Sequence, residues 1–394
     1  MRSLLPSINS YARYAVESES IPISQAGGRV TAEPLLMDRD SPPLDVSAMD
    51  GYAIAMADLH RFASDGLLVS AVAAAGRSPG TCIPGSAIKI FTGAPVPFGA
   101  DCVIQREHTE VNGGRVRLVE PIDAIRPSQN IRRRGENAAQ GTLAISSGVE
   151  LSATAMAVAS SIAPPQILVR RKVRVAVINT GDELIEPGRP AELWQIRDSN
   201  GLTLQTALER LPWLEIVHRC RAIDDLQSLT EALAESEATV DVVILTGGVS
   251  MGDTDHVPAA VRAIGGEVVF HRLPIRPGKP ILGAVSSTGR LILGLPGNPV
   301  SVAVTARRIA VPLLRKTAGL AVIEPPVPSV SLSNPDDKRL NLIWHRLVRL
   351  GRDGRAELID NRGSGDIVSL AGSDGFVEVA LGAYGPGPWP FYAW

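Results

Sequence analysis

The stretch VDVVILTGGVSMGDTD, residues 240 to 255, restricts the possible folds more than any other. Val242 to Thr246 is an unbroken run of apolar and β-favouring residues, the pattern of a short strand buried on both faces. Such strands belong to parallel sheets covered by helices. Gly247, Gly248 and Gly252 then remove side chains where the chain must turn, which lets backbone N–H groups come close to a ligand oxygen. Ser250, Asp253 and Asp255 add a hydroxyl and two carboxylates to the same loop, and a helix from about His256 to Ile264 follows. Strand, glycine turn, polar cluster and helix is the order that puts a ligand at the carboxyl end of a sheet. A glycine pair that merely connects two elements is the plain alternative, and the rest of the chain decides between them.

The neighbouring segments alternate in the same way. VRVAVINT (Val173 to Thr180) reads as a strand, SNGLTLQTALERL as a helix with Leu204, Ala207, Leu208 and Leu211 on one face, EIVHRCRAI as a strand and DDLQSLTEALAES as a helix. EVVFHRLPI, KPILGAV and RLILGLP follow, then a helix from Pro299. This predicts a three-layer α/β domain with a mostly parallel sheet. Before it, LLVSAVAAAG, SAIKIFTGAPVPFGADCVIQ and GRVRLVEPI are short apolar runs punctuated by Gly and Pro, which predicts a small all-β domain. The first residues contain a candidate amphipathic helix (Ile8, Tyr11, Ala15), followed by a turn and strand around Val30 and Leu35, and Leu143 to Ala163 reads as partly helical. PPVPSV reads as a proline-rich linker, and LIWHRLVRL and FVEVAL alternate with period two as in a small β-domain. The expected organisation is multidomain α/β plus β: an N-terminal mixed helical/linker domain (1–48 with 141–170), the all-β domain (49–140), the α/β domain (171–318) and a C-terminal β-domain (319–394). A length of 394 residues suits several cores.

Three further polar loops follow strands of the α/β region: Thr180-Gly181-Asp182-Glu183, Asp224-Asp225 and Pro296-Gly297-Asn298-Pro299. Parallel strands end on one edge, so topology would bring these distant segments together. Asn298 suits an N-cap and Pro299 a first helical turn, which would point free N–H groups at an anion. Basic residues stand in RPGKP (Arg276, Lys279) and in IRRRGEN (Arg132, Arg133, Arg134). Carboxylates and guanidinium groups around a glycine-rich crevice suit a phosphate ester with Mg²⁺, since hard cations take oxygen ligands and arginine binds oxyanions through two nitrogens. Any such anion must be held locally: 39 basic against 41 acidic side chains give a net charge of -2, with no electrostatic footprint for nucleic acid or a membrane surface. Cys82, Cys102 and Cys220 form neither a disulfide framework nor a zinc motif, no apolar run is long enough for a membrane span, and the first residues lack a signal-peptide core, so a cytoplasmic protein is expected. GxxxxGK[ST] is absent, and no GxGxxG opens the first strand-helix turn of the α/β region.

Taken together, SPPLDVSAMDGYA, IFTGAPVPFGADCVI, IRRRGEN, INTGDEL, RDSN, TGGVSMGDTDHV, RPGKP, GLPGNPVS and GSGDIVSLAGSDGF resemble the successive motifs of the molybdopterin molybdenumtransferases (MoeA, similar to the E domain of gephyrin). The resemblance runs from about Pro42 to Phe376 in the family's order. It implies a four-domain, elongated homodimer with the active site in a cleft between subunits. It also implies a reaction: Mg²⁺-dependent hydrolysis of adenylylated molybdopterin with insertion of molybdate at the dithiolene, releasing AMP and molybdenum cofactor. Carried over position by position, it assigns catalytic roles to Asp50, Thr92, Arg132, Glu183, Asp224 and Asp255, with Glu183, Asp224 and Asp255 as the Mg²⁺ ligands. Substrate binding falls to Gly247, Gly248, Ser250, Arg276, Lys279, Pro296, Asn298 and Pro299, with Ser364 or Ser369 from GSGDIVS. Implied partners are adenylylated molybdopterin, molybdate, the adenylyltransferase of the preceding step and the acceptor molybdoenzymes.

The chain departs from the family at two places. Asn137 stands where many members carry an acidic residue after RGE, and Arg272 and Arg276 stand where two lysines are frequent. An amide can accept and donate hydrogen bonds but supplies no charge, whereas arginine for lysine keeps charge and changes geometry. Two other functions compete with this one, a molybdopterin adenylyltransferase and a non-catalytic cofactor-binding or scaffold protein. The additional β-region with SAMDGYA and TGAPVP speaks against the first, and Asn137 is the sole residue in favour of the second.

Overall fold

The computed structural model describes residues 15–162, 164–250 and 255–394. Ile8 and Tyr11 of the expected N-terminal helix lie outside these residues, and Ala15 is in irregular backbone. The chain forms two compact units, one of residues 1–33, 146–160 and 164–394, the other of residues 34–145 and 161–163.

The smaller unit is built on a six-stranded sheet in the order Cys102–Gln105, Gly51–Ile54, Ser86–Ile90, Leu67–Ala73, Arg115–Leu118, Thr109–Asn112. The pairing is antiparallel except between Leu67–Ala73 and Ser86–Ile90. A short helix, Leu59–Ser64, buries Leu59 and Phe62 in the same core as Tyr52, Ile54, Leu67, Ile104 and Val116, so this region is not purely β. The six-residue helix is too short to show a helical period in the sequence.

The larger unit contains the α/β sheet, ordered Leu214–Ala222, Val173–Thr180, Val242–Thr246, Leu291–Leu295, Leu282–Val285, Glu267–His271. The first three pairings are parallel and the last two antiparallel, so Leu282–Val285 alone runs against the other five strands. Val242 to Leu245 are fully buried, as their unbroken apolar run requires. Helices cover both faces: Ser199–Leu208 and the segment from Pro299 pack with Val175, Val177 and Ile244, while Leu226–Glu237 and Val257–Ala263 pack with Ala176, Ile178 and Val243. Leu204 and Leu208 point into the core, but Ala207 is exposed and Leu211 lies beyond the helix end, because the chain leaves the helix at Glu209. The last helical segment runs Pro299–Thr305, passes through a π-helical turn Ala306–Ala310, and continues as Val311–Thr317. That turn carries Arg308, buried and bonded to Glu378 and Glu324.

A second sheet joins the order Ile275–Arg276, Ile343–Leu350, Gly375–Val379, Trp389–Ala393, Ser329–Val330. The end of the proline-rich linker is therefore itself an edge strand. More consequential is the two-residue strand Ile275–Arg276, which leaves the α/β region to pair in parallel with Ile343 and Trp344. Its continuation, Pro277-Gly278-Lys279-Pro280, folds back onto the last helix. Gly278 has φ +101°, and a Cβ there would lie 2.4 Å from the Thr305 methyl. Backbone strain and steric overlap thus both demand glycine. Gly278→Ala should lower stability by roughly 2 kcal/mol in a denaturant titration. Gly76→Ala, at φ +77° with open space around it, should show only the smaller backbone share. Equal losses at the two positions would remove the Thr305 contact from the account.

Candidate active site

The parallel registers fix where the polar loops end up. Thr180 pairs with Ala222, Asn179 with Thr246 and Thr246 with Leu295, so the loops that begin at Gly181, Ile223, Gly247 and Pro296 leave one sheet edge side by side. Beneath them lies a buried polar network. Thr246 Oγ1 donates to Asn179 Oδ1 (2.9 Å), Asn179 Nδ2 to Asp198 Oδ2 (2.6 Å), and Asn200 Nδ2 to the Gly297 carbonyl (2.7 Å). Asp198 also caps its helix by accepting from the Gly201 amide. These bonds hold the loops without using Glu183 or Asp224. Gly247 (φ +90°) lies so near Thr180 that a Cβ would come within 2.6 Å of its hydroxyl, and Gly297 stands against Gly247.

Asp182 accepts from the Asp224 amide (3.1 Å), tying two of the acidic loops together. Asp224's carboxyl is raised above the usual aspartate range, first by burial and then by repulsion from Asp182 and Glu183. Asp255 Oδ1 accepts from the Ser250 amide (2.9 Å) and so closes the glycine loop; Gly252 and Asp253 lie outside the described residues. Among the described residues, no group of three His, Cys, Asp or Glu side chains is gathered to hold a metal ion. Glu183, Asp224 and Asp255 therefore do not make a ready cage. Mutual repulsion at Asp224 is nevertheless what a divalent cation would relieve, and Mg²⁺ is commonly held by one or two carboxylates together with substrate phosphates. The residues fit that mode of binding.

The same unit contains a crevice of about 1080 Å³ between the PGKP loop, the start of the Pro299 helix and the second sheet. Arg276, Lys279, Pro296, Asn298 and Ser364 line it, as does Arg346. Of the two candidate serines, Ser364 is in the crevice, its carbonyl accepting from the Val300 amide (3.0 Å). Ser369 instead spends its hydroxyl on Asp366 Oδ2 (2.6 Å) at a helix start. Asn298 occupies the N-cap position with Pro299 at the first turn, but its side chain makes no capping bond. Sequence reading missed Lys338, Arg339, Arg346 and Arg362, which share this crevice with Arg276 and Lys279. The available signal was the alternation in LIWHRLVRL, which puts Trp344 and Arg346 on one face of a strand.

In the smaller unit, Asp50 Oδ1 accepts from the Thr92 amide (2.8 Å) and hydroxyl (2.7 Å), which holds the Asp50 carboxyl below the usual range. The arginine triplet is not a free cationic cluster. Arg133 pairs with Asp45 and Arg134 with Asp40, while Arg132 pairs with Glu136 and donates to Asn137 Oδ1. Asn137 thus orients Arg132 through an amide oxygen, and its Nδ2 donates to Ser41 Oγ (3.3 Å).

Asp224 permits a stability test. Its folded-state pKa lies above the unfolded one, so the stability it contributes is present in acid and lost as pH rises through the folded value. At neutral pH the charged carboxylate costs stability. Asp224→Asn should melt at or above the temperature of the unaltered chain at neutral pH, with the difference closing toward about pH 4 as the carboxyl protonates. A lower melting temperature at neutral pH would make the carboxylate structural.

Two family models match the chain: "MoeA N-terminal region (domain I and II)" over residues 3–163 and "Probable molybdopterin binding domain" over residues 176–316. A Nostoc sp. protein named molybdopterin molybdenumtransferase is 34% identical over 393 residues, covering 96% of this chain and 88% of its own. One of the same name from Haemophilus influenzae is 33% identical over 309 residues, covering 78% and 74%. The crystal structure of a molybdopterin biosynthesis MoeA protein from Pyrococcus horikoshii OT3 superposes with a TM-score of 0.81 at 26% identity, covering 99% of this chain and 100% of that one. With strand-end loops, a basic crevice and full-length relatives in agreement, the chain belongs to the molybdopterin molybdenumtransferase family of transferases.

Proposed function

We propose that the chain inserts molybdate into adenylylated molybdopterin in a Mg²⁺-dependent reaction that releases AMP and molybdenum cofactor. The observation that carries this reading is the crevice in which Arg276, Lys279 and Ser364 meet the start of the Pro299 helix, in the same unit as the acidic strand-end loops. Arg276 and Lys279 draw in molybdate and offset the charge that develops as phosphate departs, while the Ser364 hydroxyl orients an oxyanion oxygen. Gly247, Gly248 and Ser250 form the loop that a phosphate oxygen would approach, because the glycines carry no side chains, while the Gly247 amide donates to the Leu295 carbonyl and the Ser250 amide to Asp255, which hold the loop in place. Glu183 and Asp224, with Asp255 nearby in sequence to the glycine loop, would hold Mg²⁺ on the substrate's phosphates. Bound there, the ion would polarise the phosphoryl group as a Lewis acid. Pro296, Asn298 and Pro299 shape the loop against the pterin or nucleotide. Asp50, Thr92 and Arg132 are proposed as participants in the same reaction. The proposal extends to a cytoplasmic homodimer that receives its substrate from an adenylyltransferase and passes its product to acceptor molybdoenzymes.

Incubating the chain with adenylylated molybdopterin, Mg²⁺ and molybdate should release AMP; no release with both ions present would sink the reading. Asp255→Asn keeps the oxygen that accepts from Ser250, so it should lower AMP release about 100-fold with an unchanged melting temperature. A fall in stability with full activity would make Asp255 structural. Asn137→Asp converts the bond to Arg132 into a charge-assisted one and should raise kcat about 10-fold for a gain of about 1.4 kcal/mol, while loosening molybdate affinity. Unchanged kcat, or tighter molybdate binding, would refute this role for the position.

A further inference from the structure

One cation in the basic crevice already has a partner. Arg346 donates from both terminal nitrogens to Asp336, 2.7 Å to Oδ1 and 2.6 Å to Oδ2. Its guanidinium carbon lies 4.2 Å from the centroid of the Trp344 ring. Parallel donation from a planar fork is what arginine offers to carboxylate, phosphate and other oxyanions, so Asp336 occupies the donors that a tetrahedral oxyanion would take. Arg276, paired in register with Trp344, stands beside this fork on the neighbouring strand.

We propose that Asp336 is a built-in competitor for the oxyanion: it fills the donor fork of Arg346 until the substrate displaces it, and so sets how tightly and how selectively the crevice takes an anion. This rests on reading the crevice as the oxyanion site. Three observations make the pair exchangeable rather than permanent. The side chains of Arg346 and Asp336 both line the crevice and keep 15% and 30% of their surface exposed, so an anion there can reach both partners. Trp344 supports the guanidinium from its face, so Arg346 keeps its place without the carboxylate. Asp336 stands in irregular backbone and has a second cation within reach, Lys338 Nζ at 3.9 Å from Oδ2, toward which the carboxylate can turn. A dianion carries twice the charge of the aspartate and wins the fork, whereas a monoanionic carboxylate gains nothing by the exchange. The crevice would therefore favour dianionic oxyanions over the carboxylates abundant in any cell.

The test is calorimetric titration of the full chain with molybdate alone, comparing Asp336→Asn and Asp360→Asn. The amide introduced by Asp336→Asn would keep Oδ1 for the Lys338 backbone N–H but present an NH₂ group to the second nitrogen of Arg346, so the two-point pair is lost with the loop contact retained. Asp360→Asn removes the same charge from the same crevice without touching that pair. Asp336→Asn should bind molybdate roughly 5-fold tighter than the unaltered chain, the equivalent of one partly exposed ion pair. Asp360→Asn should change affinity less. Asp336→Ser is a second variant with the same expectation. Binding no tighter than in Asp360→Asn, or weaker than in the unaltered chain, would overturn the proposal. The series is repeated with inorganic phosphate. Tighter phosphate binding in Asp336→Asn with no molybdate binding in any form supports the competitor and sinks the molybdate reading, whereas no binding of either anion overturns both.

Discussion

Parallel strands cannot be joined by tight turns, so each must be followed by a crossover that returns to the same starting edge. That constraint, realised as the in-register pairing of Thr180, Ala222, Thr246 and Leu295, is what the candidate site depends on. Once those strands are aligned, loops far apart in the sequence open at one edge. The buried bonds among Asn179, Asp198 and Thr246 then supply the polar satisfaction that lets strand ends sit close without water. Asp182, Glu183 and Asp224 are left to repel one another, a tension that the fold tolerates at the place where a cation would be useful.

Charge is divided within the larger unit. Carboxylates gather on the strand-end loops, and basic side chains line the crevice beside the PGKP loop. The chain's net charge of -2 hides this separation, because whole-chain balance says nothing about where the signs fall. The arginine triplet gives the opposite lesson: three consecutive basic residues turn out to be matched by Asp45, Asp40 and Glu136. A run of like charge in the sequence is therefore a poor guide to a free electrostatic patch.

Local patterns carried most of the α/β architecture. Val242 to Thr246, Val173 to Thr180 and Leu291 to Leu295 are apolar runs that admit little besides buried strands, and the glycines after them mark the turns. Features that depend on non-local pairing were not legible. Nothing near Arg276 indicates that it will pair with Trp344, and nothing in LIWHRLVRL indicates that Arg346 will meet Asp336 in the same crevice. That Ser364 lines the crevice while the Ser369 hydroxyl is spent on Asp366 at a helix start was likewise not legible in GSGDIVS. Asn298 shows the limit of local rules: it has the right type and position for a cap, yet its side chain makes no capping bond.

The splice at Ile275–Arg276 has a mechanical consequence. These two residues belong by sequence to the α/β region but hydrogen-bond as a strand of the second sheet, and Gly278 then locks the chain against the Thr305 helix. The two walls of the crevice are thus stitched by continuous backbone rather than only packed against each other. Parting them would break strand pairing and helix contact together, so this cavity behaves as a fixed mould. Under the proposed reading, an anion would enter it by exchanging side-chain partners and shedding water rather than by prying the walls apart.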